Sequence, residues 1–285
     1  MAFALAVAGK GGIGKTSLAA LLVQSLVDRG EGPVLAVDAD PNPNLGNALG
    51  RRVEKTISEL RNELLDHVRK LPAGVTKDDY LEMGIQECLS EGPGFDLLAM
   101  GAGEGPRCYC AVNNVLRRCV DRLSGAYRFV VMDNEAGLEH LSRCTTQDID
   151  VLLIVSTAHA VPLETASRIH QLTARLPLRI GRQYLVLNDV AAHDDETVRR
   201  VQERFGNLEL LGTVPTDPGV RACSLRGESL AGLGAESLAR LAVKSMLDKA
   251  LSQAQYAPGQ ANTHELGASE RPVKPIGAHA HGGGR

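Results

Sequence analysis

Apolar residues in this chain occur in two textures that alternate from the N-terminus almost to the end. Short, nearly unbroken runs such as FVVMD, VLLIV and YLVLN have the composition of strands covered on both faces. The longer stretches between them carry apolar residues at helical spacing. The runs predict strands over Phe3–Ala8, Pro33–Val37, Phe95–Met100, Arg128–Asp133, Val151–Val155, Gln183–Leu187 and Leu208–Val214. The helical stretches predict helices over Lys15–Asp28, Thr56–Lys70, Lys77–Leu89, Val112–Leu123, Leu163–Leu176, Asp194–Phe205 and Ala235–Gln253. Such alternation predicts an α/β fold, a doubly wound and mostly parallel sheet flanked by helices. Past residue 255 the pattern stops. The segment 256–285 is rich in Pro, Gly and small polar residues, so the expectation is a folded domain over 1–255 and a flexible tail over 256–285.

Composition removes several function classes. With 285 residues and 44% hydrophobic content the chain can bury a sizeable core. A net charge of −3 gives no electrostatic reason to expect nucleic acid or an anionic membrane surface. Aromatic residues make up only 3% and Trp is absent, which leaves little for base stacking. No apolar run approaches the roughly 18–20 residues that cross a bilayer. The N-terminal MAFALAVAGKGG lacks a basic flank and leads into a glycine loop, as a buried strand does and a signal peptide does not. A cytoplasmic protein without a membrane or nucleic-acid partner is expected. The 6 cysteines are too sparse for a disulfide scaffold, and Cys88, Cys119 and Cys223 read as small buried hydrophobes.

Between the first strand and the first helix, Gly9 to Thr16 read GKGGIGKT. In this G-x4-G-K-[ST] pattern Gly9, Gly11, Gly12 and Gly14 let the backbone around Ile13 curl so that its N–H groups converge on phosphate oxygens. Lys15 reaches the β- and γ-phosphates and the Thr16 hydroxyl ligates Mg2+. Ser17 follows in the first turn of an Ala/Leu-rich helix, whose positive end lies under the phosphates. The chemistry implied is binding of MgATP and its hydrolysis to ADP. Two acidic segments lie where α/β sheets bind ligands, at the carboxyl ends of strands: VLAVDADPN with Asp38 and Asp40, and RFVVMDNEAG with Asp133. The glycine of Glu135–Ala136–Gly137 suits a switch that rearranges around a γ-phosphate.

Cys108 and Cys110 stand close together in the glycine-rich segment MGAGEGPRCYC, expected as a loop just ahead of a helix. Two thiols at that spacing can converge on a soft metal ion, and a helix N-terminus lowers thiol pKa and favours metalation. Two sulfurs do not complete a tetrahedral site, but a two-fold dimer presents four.

These motifs together carry a family resemblance. With Lys10 at its front, KGGxGKT[ST] resembles the deviant Walker motif of the dimeric P-loop ATPases that include the nitrogenase iron protein and the Min and Par ATPases. In those families the extra lysine reaches across a dimer interface to the partner's nucleotide. GKGGIGKT, VDADP, CYC and VVMDNEAGLEHLSR, spread over roughly residues 3–250, are similar to the nickel-insertion accessory ATPases of carbon monoxide dehydrogenase, the CooC type. The resemblance implies a homodimer in which Asp40 positions the attacking water and Asp38 supports a magnesium water or the loop. It makes Asp133 a Walker-B-like carboxylate, and Asn188, Pro215 and Asp217 adenine contacts. It implies, too, that Cys108 and Cys110 hold Ni2+ or Zn2+ between subunits and that nickel passes to a carbon monoxide dehydrogenase-like enzyme.

Two features depart from the pattern: Asn134–Glu135 stand where a smaller, Gly-containing switch is expected, and the tail carries His264, His279 and His281. The competing reading is an electron-transfer ATPase like the nitrogenase iron protein, with a [4Fe–4S] cluster between subunits. That would pair Cys108 or Cys110 with Cys144, although His140 lies nearer the expected place and the tight C-x-C is unexplained by a cluster. A positioning ATPase on membrane or DNA would need a basic amphipathic C-terminal helix or a basic stripe, and the chain shows neither.

Overall fold

The structure, a computed structural model, describes residues 2–67, 77–102, 108–135, 148–176, 178–191, 194–206 and 208–254, with the backbone alone at 67, 77–79, 81, 82 and 108–113. The strands are β1 (Phe3–Gly9), β2 (Val34–Ala39), β3 (Leu89–Ser90), β4 (Phe95–Ala99), β5 (Phe129–Asn134), β6 (Asp148–Ser156), β7 (Arg179–Val190) and β8 (Leu210–Pro215). They form one 8-stranded sheet in the order β3-β4-β2-β5-β1-β6-β7-β8. Every pairing is parallel except the short β3 on β4. This is the doubly wound α/β sheet that the alternating pattern predicts.

The helices are α1 (Lys15–Asp28), α2 (Leu45–Leu49), α3 (Ile57–His67), α4 (Lys77–Cys88), α5 (Cys108–Leu123), α6 (Ala160–Thr173), α7 (Asp195–Arg204), α8 (Pro218–Arg226) and α9 (Leu238–Gln253). Side chains of α1, α2 and α9 share a core with Leu5, Val7, Ala36 and Val131 on one sheet face. Those of α3, α5, α6 and α7 share the other core with Ala6, Leu35, Val130 and Met132. Helix α1 lies between the sheet and α9, which explains why its sequence is apolar nearly all round. Its Leu18, Leu21, Leu22 and Leu26 are buried, each stabilising the fold by roughly 1.5–3 kcal/mol relative to exposure.

The pattern and the structure differ in instructive places. The sequence predicts β7 only over Gln183–Leu187, but the strand starts at Arg179. Its first residues are mostly exposed and polar, and pairing with β6 holds them: Ile149 lies opposite Ile180, and the Arg179 guanidinium grips Asp148. Helices α2 and α8 are too short to show a period and are fixed instead by their caps. Asp217 caps α8, and Gly50 closes α2 in the left-handed conformation. Helix α5 begins at Cys108, so the pair expected in a loop ahead of it forms its first turn, a correction to the boundary at Val112. Among the described residues no helix is long and apolar enough to cross a membrane. The segment 256–285, with its histidines, lies outside the described residues, as do Ala136, Gly137, His140 and Cys144.

Candidate functional site

The carboxyl ends of β1, β2, β5, β6 and β7 converge on the loop after β1. Gly9 ends β1 opposite Val155 of β6, and a Cβ there would lie 2.5 Å from the Val155 carbonyl oxygen. Only glycine lets the chain leave the strand so close to its neighbour. Gly14 caps α1 with φ 88, and a Cβ on it would collide with Asn188 Nδ2. That amide instead donates to the Ile13 carbonyl at 2.8 Å, tying the end of β7 to the loop. Ile13 is buried in the core, whereas Lys10, Gly11 and Gly12 are exposed. The first turn of α1 carries no acidic residue, so the positive end of the helix is uncompensated under the loop.

Lys15 is 8% exposed and its Nζ donates to the Lys10 carbonyl at 3.3 Å, closing the loop on itself. Burial pushes its pKa down, opposed by the nearby charges of Asp133, Asp40 and Glu135. Asp38 and Asp133 face each other across adjacent strands, in register. Burial pushes Asp38 up to about 7, helped by the charge of Asp133. Its oxygens accept from the N–H groups of Asp40 at 3.2 Å and Leu45 at 2.8 Å, so this carboxylate holds the turn after β2 and the start of α2. Asp40 itself is half-buried and accepts from the Asn42 N–H at 2.8 Å. Asp133, 2% exposed, is pushed up to about 6 by burial, against a hydrogen bond from Thr16 and the charge of Lys15. Its Oδ1 is buried and without a hydrogen-bond partner.

A buried, acceptor-only oxygen beside a threonine hydroxyl at a phosphate-type loop fits a hard divalent cation. Thr16 and Asp133 are the residues that could hold such a cation. Ser17 follows them in the first turn of α1, half-buried. Asn134, the next residue on β5, turns to the opposite sheet face, where its Nδ2 donates to the Val7 carbonyl at 3.0 Å. That bond ties β5 to β1 directly beside the loop, a role that no local signal in the sequence announces.

At the β7–β8 end the geometry is different from what the motifs suggest. Pro215 closes β8 opposite Val190. Asp217 has both oxygens committed: Oδ1 accepts from Gly219 N at 2.8 Å and Val220 N at 3.2 Å, Oδ2 from Ser237 Oγ at 2.7 Å and Ala239 N at 3.1 Å. Partial burial pushes its pKa up, but the bonds from Ser237 and these N–H groups outweigh it and hold the carboxylate low. One side chain therefore caps both α8 and α9. The motifs pass over Asp189, which meets Thr216 of the segment 214–217 here: Thr216 Oγ1 donates to Asp189 Oδ1 at 2.7 Å. The Asn188–Asp189 pair after an apolar run is the turn signal that marks the place.

The backbone of Cys108 and Cys110 forms the first turn of α5, and their side chains lie outside the described atoms. Among the described residues no group of three or more His, Cys, Asp or Glu side chains gathers as a metal site.

Known proteins resemble this chain in sequence and in fold. The family model for the CobQ/CobB/MinD/ParA nucleotide binding domain matches residues 4–230. An uncharacterised ATP-binding protein of Methanocaldococcus jannaschii is 41% identical over 251 residues, covering 87% of this chain and 98% of that protein. The carbon monoxide dehydrogenase accessory protein CooC of Rhodospirillum rubrum is 31% identical over 242 residues, covering 79% of this chain and 88% of that protein. Among solved structures, the cell division ATPase MinD of Pyrococcus furiosus superposes with a TM-score of 0.64 at 23% identity, over 89% of this chain and 99% of that one. The septum site-determining protein MinD of Pyrococcus horikoshii, complexed with Mg-ADP, gives a TM-score of 0.61 at 20% identity, over 87% of this chain and 96% of that one. The chain belongs to the CobQ/CobB/MinD/ParA family of nucleotide-binding P-loop ATPases.

Proposed function

We propose that this protein is an ATP-hydrolysing metallochaperone that dimerises with MgATP and delivers nickel to a carbon monoxide dehydrogenase-type cluster. The observation that carries the hydrolytic part is the juxtaposition of Lys15, Thr16 and the unpartnered Asp133 Oδ1 behind an exposed glycine loop. The loop N–H groups from Gly9 to Gly14, with those of Lys15, Thr16 and Ser17, cradle the phosphates. Lys15 exchanges the Lys10 carbonyl for the β- and γ-phosphates. Thr16 and Asp133 would hold Mg2+, which would supply neutralisation of phosphate charge there. Asp40 orients the attacking water, and Asp38 holds the turn that carries Asp40. Asn188 and Pro215 border the base, and Asp217 acts from behind them through the helices it caps.

Lys10 is exposed at the front of the loop, free to reach the partner's nucleotide in a homodimer. The same dimer brings two Cys108–Cys110 pairs to one axis, where four thiolates hold Ni2+ or Zn2+ as cargo rather than as a resident cofactor. This finer reading is supported by the C-x-C motif and by the similarity to an accessory protein of carbon monoxide dehydrogenase. ATP turnover then couples dimer opening to release of the metal to a nickel enzyme, in the cytoplasm. The domain spans 1–255, and the tail over 256–285 carries His264, His279 and His281, which become the candidate metal holders if the cysteine pair is not.

Metal analysis combined with native mass, with and without ATP, tests it. The unmodified protein is expected to bind about one Ni2+ or Zn2+ per dimer, because four thiolates complete one tetrahedral site. The Cys108→Ser/Cys110→Ser double variant should lose that metal and keep ATP binding. Metal retained by the double variant sinks the interfacial cysteine site.

A further inference from the structure

We propose that Asp189, braced by Thr216, reads the 6-amino group of the bound nucleotide's adenine and so sets the base preference of the site. This deepens the nucleotide-site reading and rests on it. The direction of the nucleotide follows from charge. Asp38, Asp40 and Asp133 stand at the ends of β2 and β5, on one side of the glycine loop. That acidic side accepts only the cation-bearing, γ-phosphate end of the nucleotide. The base therefore extends to the other side of β1, over the ends of β6, β7 and β8.

On that side β7 abuts the loop directly, because Asn188 is bonded to Ile13 and fills the space beside Gly14. The next residue leaves the ladder. Pairing of β7 with β8 shifts register between Asn188 and Val190, and Thr216 N donates instead to the Val190 carbonyl at 3.0 Å. Asp189 takes φ 58, the one positive φ of a non-glycine residue among those described. Bulges of this kind re-aim a side chain at the end of a strand. The Asp189 carboxylate is lifted to the exposed edge and fixed there by the Thr216 hydroxyl on Oδ1. Among the described residues its Oδ2 has no partner.

At this edge Asn188 Nδ2 is engaged by Ile13 and both oxygens of Asp217 by α8 and α9, which leaves Asn188 Oδ1 and Asp189 Oδ2 as acceptors, of which only the carboxylate oxygen carries charge. An ionised carboxylate can only accept. Adenine offers a donor at its 6-amino group, whereas a 6-oxo purine offers an acceptor there and is repelled. A two-point grip on guanine needs both carboxylate oxygens, and Thr216 occupies one.

The test compares binding of ATP and of purine riboside triphosphate, which carries hydrogen in place of the 6-amino group, to the full chain with Mg2+. The unmodified protein should prefer ATP by about tenfold, the size of a half-exposed hydrogen bond to a charged acceptor. Asp189→Ala should bring the two affinities within about twofold, by weakening ATP and sparing the analogue. Asp189→Gly, which accepts a positive φ without strain, guards against a folding defect and should behave the same. An unchanged ratio in both variants, or an equal loss for both nucleotides, reduces Asp189 to a bulge residue and overturns the proposal. A wild-type protein that binds both nucleotides equally overturns it as well and leaves the nucleotide site standing. One that binds neither overturns the nucleotide-site reading itself.

Discussion

Asp133 combines burial, a shifted pKa and an unpartnered oxygen in one side chain. It is an acid pushed up by burial, as is Asp38 across the strand pair, to about 6 and about 7 from an ordinary 3.8. For such a group the folded state binds more protons than the unfolded chain between the two pKa values. Stability is therefore gained as pH falls into that window and lost as pH rises through it, from about 4 to 7. Without nucleotide the protein should melt at a higher temperature at pH 5 than at pH 8. Asp133→Asn should shrink that difference, because an amide has no charge to desolvate. Thermal melts of both proteins at the two pH values check this, and an undiminished difference in the variant rules out Asp133 as its source. The orphaned Oδ1 explains why such an arrangement persists: it is costly until a cation or water meets it.

Among the elements, α8 and α9 show how a motif residue can serve the fold. Both start at the Asp217 carboxylate, with Ser237 as the second cap of α9. Asp217→Ala should cost roughly 1–4 kcal/mol, the sum of two lost caps, read as a lower denaturation midpoint. Nucleotide affinity of the folded fraction should move far less. A selective loss of ATP binding at unchanged stability would show instead that this carboxylate faces the base. The two readings separate cleanly because one acts on both helices and the other on neither. Helix α5 makes a related point: by beginning at Cys108 it puts the cysteine pair on the backbone of a regular element that spans to Leu123.

For the whole molecule the decisive quantity is the oligomeric state. Lys10 is exposed while Lys15 is buried, so the two lysines of one loop serve different spaces. Lys10→Ala should retain ATP binding and lose about a thousandfold in turnover, as removal of a cation supplied across an interface does. An Asp40→Ala chain should be inactive on its own. Mixing the two variants should restore part of the turnover, since one site of the mixed dimer has its own Asp40 and the partner chain's lysine. No recovery on mixing would place Lys10 in its own chain's site.

The sequence by itself determined the α/β alternation and the phosphate loop, because both are local. A strand buried on both faces is continuously apolar, and a loop that wraps phosphate needs its glycines and lysine at fixed spacing. It also located Asp38, Asp40 and Asp133 at strand ends. Only the tertiary structure decided what each one touches there. Strand order put β2 and β5 on one side of the loop and β7 and β8 on the other, which separates the three carboxylates from Asn188 and Asp189. Register set Asp38 against Asp133 and left one buried oxygen without a donor. Long-range bonds drew Asn188 to the glycine loop, spent Asp217 on two helices and exposed Asp189 at a bulge. Such roles depend on partners as far apart as Ile13 and Asn188, and a local pattern holds no record of contacts across that separation.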